Sequence, residues 1–194
     1  MKLVPEKDFI HTTINRLNSY SLGWINGDEE EDYKTIGSVD IVNHRLKVAV
    51  EIKDDSFVNL PPSGVAYNTN LSPVSKRYQR DIKNANKKFR NYPDYQSIVL
   101  IRHLTRSSKH TFAYLIGGFI TLTPVGRLPN TEKNISRHSE SCSVYAFLNP
   151  YWCDDLIAYR NPGSTRNSDK AIDILKHLYK NFDEVTQEDL WSLN

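Results

Sequence analysis

Residues Ser38 to Lys53 read Ser-Val-Asp-Ile-Val-Asn-His-Arg-Leu-Lys-Val-Ala-Val-Glu-Ile-Lys. Two runs of β-branched and apolar residues flank a polar centre, which is the pattern of a β-hairpin. In the second run, Val48, Val50 and Ile52 alternate with Lys47, Ala49, Glu51 and Lys53, the period of a strand with one face in a core. In the first, over a strand expected at 33–42, Val39 and Ile41 alternate with Ser38, Asp40 and Val42. Asp40, Glu51 and Lys53 therefore stand inside runs that otherwise belong to a protein interior. Burying an unpaired ion is costly, so these three charges require solvent, a partner or a task.

Register decides whether they meet. A hairpin centred between Arg45 and Leu46, with a four-residue loop from His44 to Lys47, sets Asp40 opposite Glu51, Val42 opposite Ala49 and Ser38 opposite Lys53. Those six residues then share one face, and Val39, Ile41, Val48, Val50 and Ile52 share the other. A tighter turn centred on Asn43-His44 instead pairs Asp40 with Lys47 and leaves Glu51 on the order of 13 Å away along the strand. Asn43 suits such a turn. The first register is preferred.

The remaining chain reads as an alternation of helices and strands. Ile10, Ile14, Leu17 and Ser21, with Trp24 beyond, mark one buried face of a helix over 6–22, with Gly23 as its stop. An acidic run, Asp28 to Asp32, reads as a solvated loop or as support for a metal site. A polar, proline-containing connection covers 54–73. The clearest helix spans 74–91, with a buried stripe of Val74, Tyr78, Ile82, Ala85 and Phe89. Residues 96–103 form a buried strand, 111–123 an apolar segment interrupted at Gly117-Gly118, and 127–141 a polar loop. Short strands are expected at 143–148 and 156–159. Ser168 is placed to cap a last amphipathic helix, followed by a C-terminal turn with Leu190 and Trp191. The fold class is α/β, with a central mixed sheet flanked by helices. The 194 residues read as a single domain: a core over 1–105 and an extension of that domain, with further strands and a helix, over 106–194.

Two carboxylates opposite one another on adjacent strands have Cβ atoms about 5 Å apart. Such a pair resists joint ionisation unless a cation lies between. Oxygen-only ligands suit Mg²⁺ or Mn²⁺, and the main-chain carbonyl of Ile52 offers a further oxygen. A divalent ion there would acidify a bound water and neutralise charge on a phosphate. Lys53, two residues from Glu51, shares its face and suits either orienting that water or stabilising the transition state.

Asp40, ten intervening residues and then Glu51-Ile52-Lys53 resembles the motif of the PD-(D/E)xK nuclease superfamily, whose members share a restriction-endonuclease-like core. The expected order, helix 6–22, hairpin 33–53, helix 74–91 and strand 96–103, is similar to that core and covers roughly the first 105 residues. The resemblance implies that Asp40 and Glu51 are metal ligands and Lys53 the catalytic lysine. It implies hydrolysis of phosphodiesters, most simply by a Mg²⁺-dependent endodeoxyribonuclease. Val39 stands where the motif has proline. Many members bring another acid from the first helix; Glu6, Asp8 or one of Asp28 to Asp32 is available here. Gln79 is a candidate for the polar residue that the second helix often contributes, although Lys83 follows where a tyrosine would support it.

The helix after the hairpin adds a second signal. Lys76, Arg77, Arg80, Lys83 and Lys87, with Gln79, are the candidate contacts to nucleic acid, since phosphate backbones attract such clusters. Lys88 and Arg90 add to the charge, against one acid, Asp81. The overall net charge is only +2, so any such affinity rests on how charge is distributed. Cys142 and Cys153 lack metal or disulfide spacing and read as reduced structural thiols. The six histidines show no ligand spacing, and Tyr151-Trp152 is a candidate stacking pair. No signal peptide or apolar run of spanning length is present, which predicts a cytoplasmic protein without a membrane partner. A homodimer is compatible with the sequence. The alternative function is a non-catalytic nucleic-acid-binding or protein-interaction module that keeps the nuclease-like fold.

Overall fold

A computed structural model of the chain describes residues 5–29, 37–55, 72–103, 120–123, 126–129, 140–149, 155–186 and 189. Helix α1 covers Glu6–Tyr20, α2 Ser72–Phe89 and α3 Asp169–Leu178. Strands are β1 (Ile25–Asn26), β2 (Ile41–Asn43), β3 (Val48–Asp55), β4 (Gln96–His103), β5 (Ile120–Thr123), β6 (Gly126–Pro129), β7 (Val144–Asn149), β8 (Asp155–Arg160) and β9 (Asn181–Val185). Seven of them form one mixed sheet in the order β1-β2-β3-β4-β7-β8-β9, and β5 pairs with β6 separately. The α/β class with helices on both sheet faces is as the sequence leads one to expect. No helix among the described residues is long and apolar enough to cross a membrane.

Strand alternation sorts the core into two layers. Ala49, Val99, Ile101, Tyr145, Phe147 and Tyr159 face α2 and bury Ile82, Ala85 and Phe89 of that helix. Val48, Val50, Ile52, Ile98, Leu100, Val144 and Ala146 face the other way, onto Leu17 of α1 and the apolar stripe of α3. The centre of the sheet is parallel: β3 pairs with β4, and β4 with β7. Helix α2 makes the crossover from β3 to β4. Its lower end is tied to a distant part of the chain, because Arg166 donates from Nη2 to the Phe89 carbonyl (2.9 Å) and from Nη1 to that of Tyr95 (3.1 Å).

The hairpin has the register expected from a centre between Arg45 and Leu46. Ile41 faces Val50, Val42 faces Ala49 and Asn43 faces Val48. His44–Lys47 is the loop, closed by Lys47 at φ 53°. Asn43 serves this turn from outside it: its Oδ1 accepts from the Leu46 amide at 2.8 Å. That side-chain bond explains why an asparagine so near the turn does not force the tighter register.

Several expectations are corrected. Of the strand expected at 33–42, residues 33–36 lie outside the described residues, and within the rest pairing begins only at Ile41, in β2. Gly37, at φ +87°, and the bend at Asp40 hold residues 37–40 out of the ladder. Val39 consequently packs into the α2-side layer, not with Ile41. Helix α1 ends at Tyr20, ahead of Gly23, because Ser21 turns extended and Asn18 pairs through its amide with both the N–H and C=O of Trp24. Residues 127–129, expected in a loop, belong to β6, and β1 and β9 are additional strands. Ser168 occupies the cap position of α3 but makes no side-chain cap bond; its hydroxyl accepts from Arg160 instead. Residues 111–119, Tyr151-Trp152, Cys153 and Leu190-Trp191 lie outside the described residues. Cys142 is buried, donates to the Val144 carbonyl, and has its thiol pushed up to about 12 chiefly by burial, so it behaves as a structural thiol.

The chain before Asp40 is fixed by a close approach. Gly27 continues the β1–β2 pairing by donating to the Asp40 carbonyl at 3.2 Å, and a Cβ on Gly27 would stand 1.9 Å from the Val39 carbonyl oxygen. Gly27→Ala is therefore expected to lower stability by about 1–3 kcal/mol, read by urea or thermal unfolding. An unchanged midpoint would show that this approach is not tight.

Candidate active site

Beyond Ile41 the β2–β3 ladder stops, and a side chain takes over. The Ile52 amide donates to Oδ2 of Asp40 at 2.6 Å. Asp40 thereby holds the next rung of β3 with its carboxylate. In a strand the N–H and C=O of one residue point to the same edge, so the Ile52 carbonyl also faces the Asp40 side.

Glu51 follows from strand parity. It points into the α2-facing layer, in line with Val99 of β4, and has no solvent exposure. A carboxylate in that position requires counter-charge. Lys53, next but one on the same strand, reaches Oε1 at 2.5 Å. Lys88 of α2 reaches Oε1 at 2.8 Å and Oε2 at 3.0 Å. Two ammonium groups thus hold one buried carboxylate.

The electrostatics agree with this crowding. Burial first, and the Glu51 charge second, push the Asp40 carboxyl up to about 7, while Lys88, the Ile52 amide and Lys53 pull it down. Burial acts to lower Lys53, but its hydrogen bond and charge contact with Glu51, helped by Asp40 and Glu6, hold it above the ordinary lysine value. Lys53 is therefore a charged ammonium at neutral pH.

The sequence candidates fare unequally. Asp40, Glu51, Ile52 and Lys53 come together as described. Of the acids offered as a further contributor, Glu6, the first residue of α1, acts electrostatically on Lys53. Asp28 accepts the Ser38 hydroxyl at 2.5 Å and so braces the segment leading to Asp40. Residues 30–32 lie outside the described residues. On α2, Arg80, Lys83 and Lys87 are exposed; Arg80 forms an ion pair with Asp81 at 3.5 Å. Lys76, Arg77 and Gln79 belong to the first part of α2, where side chains lie outside the description. Charge alone does not separate Lys88 from the other cations of this helix. Its signal was its place on the wheel, three residues from buried Ala85 and beside Phe89, at the border of the stripe.

The donor set fits a hard divalent cation: two carboxylates that repel one another, and a main-chain oxygen on the same edge. Among the described residues, no three His, Cys, Asp or Glu side chains group as a metal cluster, so such an ion would complete its shell with water or substrate oxygen. Comparison with known proteins adds nothing to this reading: no protein-family model, no curated protein and no solved structure matches the chain.

A pH dependence follows. With its folded value near 7 against an ordinary 3.8, Asp40 stays protonated in the folded chain where the unfolded chain has released the proton. Stability in EDTA therefore falls as pH rises from about 4 to 7 and levels off above. Asp40→Asn removes this loss and is expected to gain about 2–4 kcal/mol over wild type at pH 8, the advantage shrinking towards pH 4.5. Denaturant melts at the two pH values check it; an equal difference at both would contradict the assignment.

Proposed function

We propose that this chain is a divalent-metal-dependent nuclease with a restriction-endonuclease-like core, hydrolysing phosphodiesters, most readily in DNA. The observation that carries the reading is the pairing of Asp40, fixed on the Ile52 amide, with buried Glu51 and the charged Lys53. The order of elements supports it too: α1, the β2–β3 hairpin, α2 and β4 follow the order that the motif's resemblance implies.

In this reading Asp40, Glu51 and the Ile52 carbonyl hold Mg²⁺ or Mn²⁺. Such a cation, when bound, would lower the pKa of a nearby water and offset negative charge on the phosphate. Asp40 and Glu51 fix the position of attack, because one is anchored on backbone and the other is packed beneath α2. Lys53 offers its ammonium to negative charge that builds on the phosphate oxygens. Glu6 contributes negative charge near Lys53. Arg80, Lys83 and Lys87 present positive charge on the outer face of α2 and draw in the nucleic-acid backbone.

The expected outcome with Mg²⁺ or Mn²⁺ is nicking of plasmid or single-stranded DNA. Asp40→Asn, Glu51→Gln and Lys53→Ala each lower the rate by about 100-fold or more. Cleavage that survives saturating EDTA would exclude the mechanism. The joint variant Arg80→Gln, Lys83→Gln, Lys87→Gln should weaken DNA binding and reduce the slope of log affinity against log salt by about 2–3. An unchanged slope would move the binding surface elsewhere.

A second reading is a non-catalytic nucleic-acid-binding or protein-interaction module. The observation that favours it is the engagement of both Glu51 oxygens by lysines. It predicts salt-dependent binding with no divalent-dependent cutting by the wild-type protein.

A further inference from the structure

The two ammonium groups on Glu51 differ in what they connect. Lys53 is held by strand geometry, two residues along β3 from the carboxylate it touches. Lys88 comes from another element, and it reaches both oxygens of Glu51. Of the two lysines it also exerts the stronger pull on Asp40. A cation that touches both oxygens of one acid while attracting the other carboxylate supplies the charge that an oxygen-ligated divalent ion would bring to the same pair. Lys88 is not locked in. Its side chain is 30% exposed, whereas that of Glu51 is fully buried. Its stem runs beside Gly37, where even a Cβ would stand 3.9 Å from Lys88 Cγ.

We propose that Lys88 is a resident counter-ion of Glu51 that a divalent cation displaces, so that ammonium and metal exchange at one position. The proposal rests on the metal-site reading of Asp40 and Glu51. Its physical basis is that buried Glu51 requires positive charge whether or not metal is present. Lysine suits the role because its compact charge sits on a flexible four-carbon stem. Exchange keeps the carboxylate neutralised throughout and releases the ammonium towards solvent. Once released, Lys88 adds to the positive charge of α2, which already exposes Arg80, Lys83, Lys87 and Arg90. Arrival of the cation and strengthening of the phosphate-attracting surface then become one event.

The test uses the full chain with Mn²⁺ alone and no nucleic acid. Mn²⁺ binding is measured by titration calorimetry or electron paramagnetic resonance, alongside thermal unfolding with and without the ion. Lys88→Met keeps the stem and removes the competitor. It is expected to bind Mn²⁺ about tenfold more tightly, the effect of one unit charge a few ångström away even at the dielectric of water. Its melting temperature should fall in EDTA and recover with Mn²⁺ by more than wild type gains. Lys88→Arg keeps the charge and should retain an affinity near that of wild type. A purely structural ion pair predicts the same fall in EDTA, with Mn²⁺ affinity unchanged or weaker in Lys88→Met, and that result overturns the exchange. If neither wild type nor Lys88→Met binds Mn²⁺, the metal-site reading falls as well. Wild-type protein with ¹³C-labelled lysine gives a readout that survives a poorly folding variant. The Lys88 Cε resonance should shift as Mg²⁺ is added, and a resonance that stays still while Mg²⁺ binds overturns the proposal.

Discussion

A carboxylate with no access to water organises this molecule. Glu51 lies beneath α2 against a layer of valine, isoleucine, alanine, phenylalanine, tyrosine and one cysteine. Left alone, such a charge would destabilise the fold by several kcal/mol. The chain answers with one cation from the same strand and one from the helix above. The docking of α2 is therefore apolar along the Ile82, Ala85 and Phe89 stripe, and ionic at the border of that stripe, where Lys88 bends inward. The position of the helix and the state of the site are linked through this contact.

Asp40 is placed by a different device. It is the residue at which strand pairing changes partners. On one side its carbonyl still accepts from Gly27; on the other its carboxylate substitutes for the missing backbone rung and takes the Ile52 amide. Asp28 and Asn91 hold the residues just before it, through Ser38 and the Gly37 carbonyl. A short, irregular segment thus has a defined course although it belongs to no strand. The two acids are brought together by opposite means, one by regular alternation and the other by interruption of it.

This contrast explains what could be read from the residues. The hairpin register was legible because parity, loop length and the positions of Val42, Ala49 and Glu51 have few joint solutions. Strand β4 was legible because Ile98 to Ile101 is continuously apolar, and the inner stripe of α2 because Ile82, Ala85 and Phe89 keep helical spacing. The early end of β2 was not, since it depends on Gly27 and on the lower end of α2, both remote in sequence. Strand β9, with Asp183 and Glu184, has no strand pattern of its own and exists through pairing with β8. Lys88 was hidden among neighbours of the same charge. Composition marks the helix as basic; only docking decides which lysine turns inward.

The Arg166 contact extends the reach of the site across the chain. Its guanidinium holds the Phe89 carbonyl, one residue beyond Lys88, and comes from the loop that leads into α3. The ammonium on Glu51 is thus mounted on a helix end moored by the last third of the sequence. The C-terminal strands and helix are more than an appendage to the part of the chain that carries Asp40, Glu51 and Lys53. They are the frame against which that core is levelled, and sequence change in them can retune Lys88 without touching any residue of the motif.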